Sequence, residues 1–215
     1  MIPDVTNRPF LNIAAMCPSS RVLGPGNRFI IWVQGCCFNC PSCGSPEWRE
    51  VKDATLITPE DLIRRINVVP NLEGVTISGG EPFLQADNIL KLIRLIRENS
   101  NLTIICYTGF TLADLQRKND PVVDDILATI DVLIDGPYVD ALNDNQGWRG
   151  SSNQTVHFLS GVYQEKMQEF LSRRRDVEVH LYADYRLLAG IKPKGLDVVA
   201  FLGERKNTDN SREKC

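Results

Sequence analysis

Four stretches of the chain are short, nearly unbroken apolar runs closed by glycine: RFIIWVQG (28–35), GVTISGG (74–80), LTIICYTG (102–109) and DVLIDG (131–136). Runs of this length and β-branched content predict strands buried on both faces. Between them the apolar spacing becomes that of helices. TPEDLIRRINVV opens with Thr58 at the cap position, Pro59 in the first turn and Asp61 three residues after the cap, which marks a helix start. In ADNILKLIRLIREN, Ile89, Leu92, Ile93 and Ile96 recur at i, i+3, i+4 and i+7 and so share one face. PVVDDILATI (121–130) and LSGVYQEKMQEFLSRRR (159–175) also read as helices, and VEVHLYA (177–183) and LDVVAFLG (196–203) as further strands. The whole chain, 1–215, reads as one domain, with residues 1–27 as an N-terminal extension and a polar tail over about 204–215 whose composition matches disorder.

Strand and helix in alternation predict right-handed crossovers and a mostly parallel sheet. Every glycine-closed strand end then lies on one rim. Functional sites of parallel α/β folds gather there, so the loops after residues 35, 78, 107 and 135 are expected to meet.

Composition narrows the chemistry. With 24 basic and 27 acidic residues and a net charge of −3, nothing marks a nucleic-acid or membrane-surface partner. No apolar run approaches a membrane span and no secretory leader is recognisable, so the reading is cytoplasmic. Four of the seven cysteines lie in CCFNCPSC (36–43). Disulfides do not suit that compartment, and bound metal does. Two registers exist: Cys36, Cys40 and Cys43 give CxxxCxxC, whereas Cys37, Cys40 and Cys43 give the opening of a ferredoxin run. The latter lacks its next cysteine, since Glu47 stands there. A structural zinc site needs a fourth ligand from Cys17, Cys106, Cys215, His157 or His180, all isolated in sequence. The remaining reading is a 4Fe–4S cluster with three thiolates and one open iron. SGGEP (78–82) adds consecutive glycines at a strand end, where backbone can approach an ammonium group closely. A side chain at Gly80 is expected to weaken that contact and leave the thiol site intact.

Together these residues resemble the radical S-adenosylmethionine superfamily, and most of all the activating enzymes of glycyl radical proteins, anaerobic ribonucleotide reductase activators among them. The resemblance runs from about Arg21 to Gln154 through GPGNRFIIWVQGC, SGGEPFLQ, YTGF, DVLIDGPYV and RGSSNQ. It implies an incomplete parallel (β/α) barrel, open on one side to a protein loop, with the site at the C-terminal strand ends. It implies an oxidoreductase whose 4Fe–4S cluster, on Cys36, Cys40 and Cys43, cleaves S-adenosylmethionine to a 5′-deoxyadenosyl radical. Gly79, Gly80 and Glu81 hold the methionyl ammonium, Pro82 shapes that turn, and Thr108 and Asp135 face cofactor or substrate. Arg149, Ser151 and Asn153 are further contacts by resemblance, whereas His157 and His180 read as structural. The implied partners are a glycyl radical enzyme as protein substrate and a flavodoxin- or ferredoxin-type electron donor. A peptide or small-molecule substrate is the alternative, and a non-enzymatic zinc or electron-transfer module the third. Cys37 beside the first ligand, Ser42 where many members carry an aromatic, and Ser45 after the last ligand depart from the family pattern.

Overall fold

The computed structural model describes residues 8–196. Seven strands form one open sheet in the order β3–β1–β2–β4–β5–β6–β7: β1 (Leu11–Ser20), β2 (Arg28–Val33), β3 (Thr55–Ile57), β4 (Gly74–Gly79), β5 (Thr103–Tyr107), β6 (Val132–Asp135) and β7 (Thr155–Phe158). The four glycine-closed runs are the central strands β2, β4, β5 and β6, and they pair in parallel. The sheet as a whole is mixed, because β1 and β3 at one edge and β7 at the other are antiparallel. Among the described residues it does not close on itself. β1 lies within residues 1–27, the stretch read as an extension, and its half-polar sequence LNIAAMCPSS hides the strand.

The crossovers carry α1 (Pro59–Asn67), α2 (Ala86–Asn99), α3 (Leu112–Arg117) and α4 (Pro121–Thr129). Thr58 caps α1 by accepting from the Asp61 N–H, as its spacing predicts. These helices bury Leu62, Ile66, Leu92, Ile93, Ile96 and Ile126 against Phe29, Ile31, Val75, Ile77, Ile104 and Leu133 of the sheet.

The opposite face of the sheet is covered too. Trp148, Tyr163 and Phe170 pack on Ile105, Val132 and Ile134, while Leu187 and Ala189 pack on Ile30 and Trp32. The last two come from a separate hairpin, β8 (Val177–Leu181) and β9 (Arg186–Gly190), so the strand expected at 177–183 stands outside the main sheet. The helix expected over 159–175 is two short pieces: a 3-10 turn over Gly161–Lys166, kinked at Tyr163, and α5 (Met167–Ser172). The kink lets Tyr163 reach the Arg28 guanidinium at 3.0 Å. The strand expected at 196–203 and the tail lie outside the described residues. No described helix is long and apolar enough to cross a membrane.

Arg28, fully buried, fixes the end of the sheet away from the glycine-closed rim. Among the described residues its guanidinium makes no ion pair, and it donates to Thr76 Oγ1 (2.7 Å), the Val75 carbonyl (2.7 Å) and the Thr103 carbonyl (3.0 Å). Burial pulls its pKa down, and the Tyr163 hydroxyl opposes that. Gly74 makes the space, since a Cβ there would stand 2.3 Å from Nη1.

Candidate functional site

The parallel register levels the strand ends: Val33 lies beside Gly79, Ile77 beside Cys106, and Tyr107 beside Ile134. The loops after the four central strands therefore meet, as the glycine-closed runs predict.

Hydrogen bonds tie these ends into one belt. The Gly80 N–H donates to the Val33 carbonyl and the Glu81 N–H to the Gly35 carbonyl, both at 2.8 Å. Gly35 and Cys36 donate in turn to the carbonyls of Trp48 (2.8 Å) and Arg49 (2.9 Å), which fastens the thiol loop at its root. Glu81, 1% exposed, spans from β4 to β5. Its carboxylate accepts from the Phe83 N–H (3.0 Å), Thr108 Oγ1 (2.9 Å) and the Gly109 N–H (2.8 Å). Burial raises its pKa to about 7 despite these donors. Pro82, also buried, starts the short 3-10 turn that Glu81 caps. Glu81 and Thr108, far apart in sequence, are thus direct partners.

The glycines have a second purpose that the sequence did not disclose. A Cβ on Gly80 would stand 2.0 Å from the Gly35 carbonyl oxygen, and one on Gly79, at φ +106°, would stand 2.4 Å from the Val33 nitrogen. The space above both Cα atoms holds the strand end that bears the thiols. A side chain at Gly80 therefore disturbs the thiol loop itself, which corrects the expectation of an intact thiol site.

Within that loop Cys36, Cys40 and Cys43 are partly buried and Cys37 is exposed. The Phe38 N–H points at Cys36 Sγ (3.4 Å), the Cys43 N–H at the Cys40 carbonyl (3.3 Å), and the Arg49 guanidinium at the same carbonyl (3.4 Å). Burial pushes the Cys36 thiol up to about 12, with Glu81 adding to the effect, and it raises Cys43 as well. Among the described residues no three His, Cys, Asp or Glu side chains form a preassembled metal cage.

Phe38 seats the loop. Its ring lies where a Cβ on Gly109 would be, 2.6 Å away, and meets Phe110 edge-on with centroids 4.9 Å apart. Lys118 sits 3.8 Å over the outer side of Phe110. A buried amide network was also invisible in the sequence. Gln85 bridges the backbone of Asn12 and Gln34, and the side chains of Asn12 and Gln34 hold the carbonyls of Lys52 and Glu50. The only sequence signal was Gln85 at the end of SGGEPFLQ.

The other expected contacts bond to the chain's own groups. Asp135 is 5% exposed, and its carboxylate accepts from the Leu112 and Thr155 N–H groups and sits 2.9 Å from His157 Nε2. Arg149 pairs with Asp144, Ser151 Oγ accepts from the Val139 N–H, and Asn153 donates to the Pro137 carbonyl. These three fold the 137–154 loop, and Arg175 ties it down through Asn143 Oδ1 and the Gln146 carbonyl. His180 bonds Glu178 (3.0 Å) and approaches Cys17 Sγ (3.4 Å), distant from the rim in sequence and structure alike.

Residues 22–157 match the family described as a 4Fe-4S single cluster domain. The anaerobic ribonucleoside-triphosphate reductase-activating protein of Escherichia coli K12 is 36% identical over 157 residues, 69% of this chain and 99% of that one. The chain belongs to the radical S-adenosylmethionine family. The reductase-activating protein of Vibrio cholerae is 31% identical over 68% of this chain and 97% of its own. The pyruvate formate-lyase 1-activating enzyme of Escherichia coli K12 is 32% identical over 52% of this chain and 45% of its own. Among solved structures, QueE from Escherichia coli aligns with 47% of this chain and 54% of its own at 21% identity, with a TM-score of 0.40. As a radical S-adenosylmethionine enzyme, the protein uses a 4Fe–4S cluster and S-adenosylmethionine. The donor set fits that group: three half-buried thiols on one loop, with burial disfavouring ionisation of Cys36 and Cys43 until a cation offsets it.

Proposed function

We propose that this protein is an activase that generates a glycyl radical on a partner enzyme of the anaerobic ribonucleotide reductase kind. The observation carrying this reading is the belt itself. A thiol loop, a Gly-Gly-Glu turn and a Thr-Gly turn are drawn together by Glu81, in a chain covering nearly the whole length of a reductase-activating relative.

In this reading Cys36, Cys40 and Cys43 hold the cluster and leave one iron without a protein ligand, while Cys37 stays outside the set. Bound there, the cluster supplies the electron for reductive cleavage of S-adenosylmethionine, and so the radical chemistry. The chain does the positioning. The peptide edges of Gly79, Gly80 and Glu81 receive the methionyl ammonium, and Pro82 fixes their turn. Glu81 sets the separation of the β4 and β5 ends and presents Thr108 between them. Asp135 contributes through its hold on Leu112, at the start of α3. Phe38 and Phe110 wall the loop from water. The open sheet serves as a partial (β/α) barrel within one domain over 1–215, and the electron comes from a flavodoxin- or ferredoxin-type donor in the cytoplasm.

The test is anaerobic reconstitution followed by reduction with S-adenosylmethionine and a reductase subunit. A glycyl radical EPR doublet on that subunit supports the reading, whereas a modified peptide or metabolite without the doublet replaces it with the biosynthetic alternative. Alanine at Cys36, Cys40 or Cys43 should each abolish iron binding or cleavage. Cys37→Ala should keep both, and equal loss there would show that the ligand register starts one residue later.

A further inference from the structure

β3 is an edge strand at the same level as the site. Thr55 pairs with Ile13, Ile13 with Val33, and Val33 with Gly79, so one register line joins the sheet edge to the Gly-Gly turn. Three strand spacings separate them, about 14 Å. Natural sheets blunt their edges with proline, lysine or a covering element. Here Leu56, at the centre of the strand, is 42% exposed, and among the described residues no element pairs with the outer side of β3.

Beside this edge lies a cleft of about 440 Å³ whose walls include Phe10, Leu56 and Val68, all exposed apolar residues, and Asp61, Arg64 and Arg65 of α1. Asp61 is paired with Arg64 and accepts a hydrogen bond from the Thr58 hydroxyl. Arg65 has no ion pair among the described residues, which leaves a net positive rim in a chain of net charge −3. Free backbone, an apolar floor and a cation match an extended peptide that alternates apolar and acidic side chains.

We propose that the β3 edge docks such an acidic extended segment of the protein substrate, as an eighth strand of the sheet. The proposal rests on the activase reading, and it deepens it by placing the anchor. A strand added beyond β3 lies about 19 Å from Gly79, a distance that about six extended residues span. The radical-accepting residue therefore stands at least that far along the chain from the docked segment. The segment between the thiol loop and β3 is held rigid by Asn12 and Gln34 through the carbonyls of Lys52 and Glu50, so anchor and site keep a fixed relation.

The experiment uses the cluster-loaded full chain and a fluorescein-labelled, amidated heptapeptide, Thr-Leu-Asp-Val-Asp-Leu-Thr, followed by anaerobic fluorescence polarisation. Saturable binding is expected, weakened about tenfold by Leu56→Asp and by Arg65→Glu. A peptide with lysine in place of aspartate should bind Arg65→Glu better than it binds the wild-type chain. No saturable binding, or binding indifferent to both substitutions, overturns the proposal. So does concentration-dependent self-association that Leu56→Asp abolishes, because a second copy of the chain would then own the edge. S-adenosylmethionine cleavage in the same samples separates the two readings. Cleavage without peptide binding sinks the docking edge alone, and peptide binding without cleavage sinks the activase alone.

Discussion

Replacing Glu81 by glutamine isolates the buried carboxylate that joins the β4 and β5 ends. In the native chain burial raises this carboxyl from 4.5 to about 7. A carboxyl whose folded-state pKa is raised favours the folded state in its protonated form. That stability is fully present below 4.5 and is lost as pH rises through about 7. The gap corresponds to about 3 kcal/mol at full ionisation, of which about 2 kcal/mol falls between about pH 5.5 and about pH 8. Glutamine has no such slope. Its amide oxygen can keep the Phe83 and Thr108 bonds, but its NH2 then faces the Gly109 N–H, at a cost of about 1–3 kcal/mol. Urea unfolding of the metal-free protein, followed by tryptophan fluorescence, should therefore find Glu81→Gln clearly less stable near about pH 5.5 and close to the wild type near about pH 8. Other carboxylates cancel in the difference. A stability gap that stays constant across this range would refute the assignment of a neutral-pH titration to Glu81.

Gly80→Ala should reduce iron incorporation and cofactor affinity together, with a stability loss of about 1–3 kcal/mol from overpacking against the Gly35 carbonyl; iron content, calorimetric S-adenosylmethionine binding and unfolding check it, and undiminished iron would reject the close approach. Arg28→Leu should cost at least about 3 kcal/mol, because it strands the buried acceptors of Thr76, Val75 and Thr103 together. It should leave the thiol loop's iron content unchanged in whatever fraction folds, since Arg28 stands at the opposite end of the sheet.

The central strands and the first two long helices were legible because each follows one rule without interruption. Apolar residues run unbroken from Phe29 to Val33 in β2 and from Val132 to Ile134 in β6, and Thr58 with Pro59 announces α1. The rest depends on partners that periodicity does not carry. β1 alternates too weakly to stand out, and only its pairing with β2 and β3 makes LNIAAMCPSS a strand. The 159–175 stretch has helical spacing, yet Tyr163 is drawn off it by Arg28 and Thr103. In the site, the thiols and the Gly-Gly-Glu turn could be recognised by type and order. The Glu81–Thr108 contact and the Phe38–Gly109 seat join loops that the parallel register brings level, and the Gln85 network reaches Asn12 through the antiparallel pairing of β1 with β2.

The carboxylates at the rim clarify what kind of recognition this site can perform. Glu81 and Asp135 are the acidic residues that the strand ends present, and both are consumed by the chain's own donors, Glu81 by Phe83, Thr108 and Gly109 and Asp135 by Leu112, Thr155 and His157. Neither offers an unpaired oxygen pair for a cationic ligand without breaking the belt. Selectivity for an ammonium must therefore come from backbone carbonyls, whose positions the belt fixes. That accounts for a fully buried acid being tolerated beside half-buried thiols, although its charge raises Cys36 further. What Glu81 contributes is the spacing between two strand ends, and a neutral group of the same length could supply that spacing only by giving up one of the three bonds that define it.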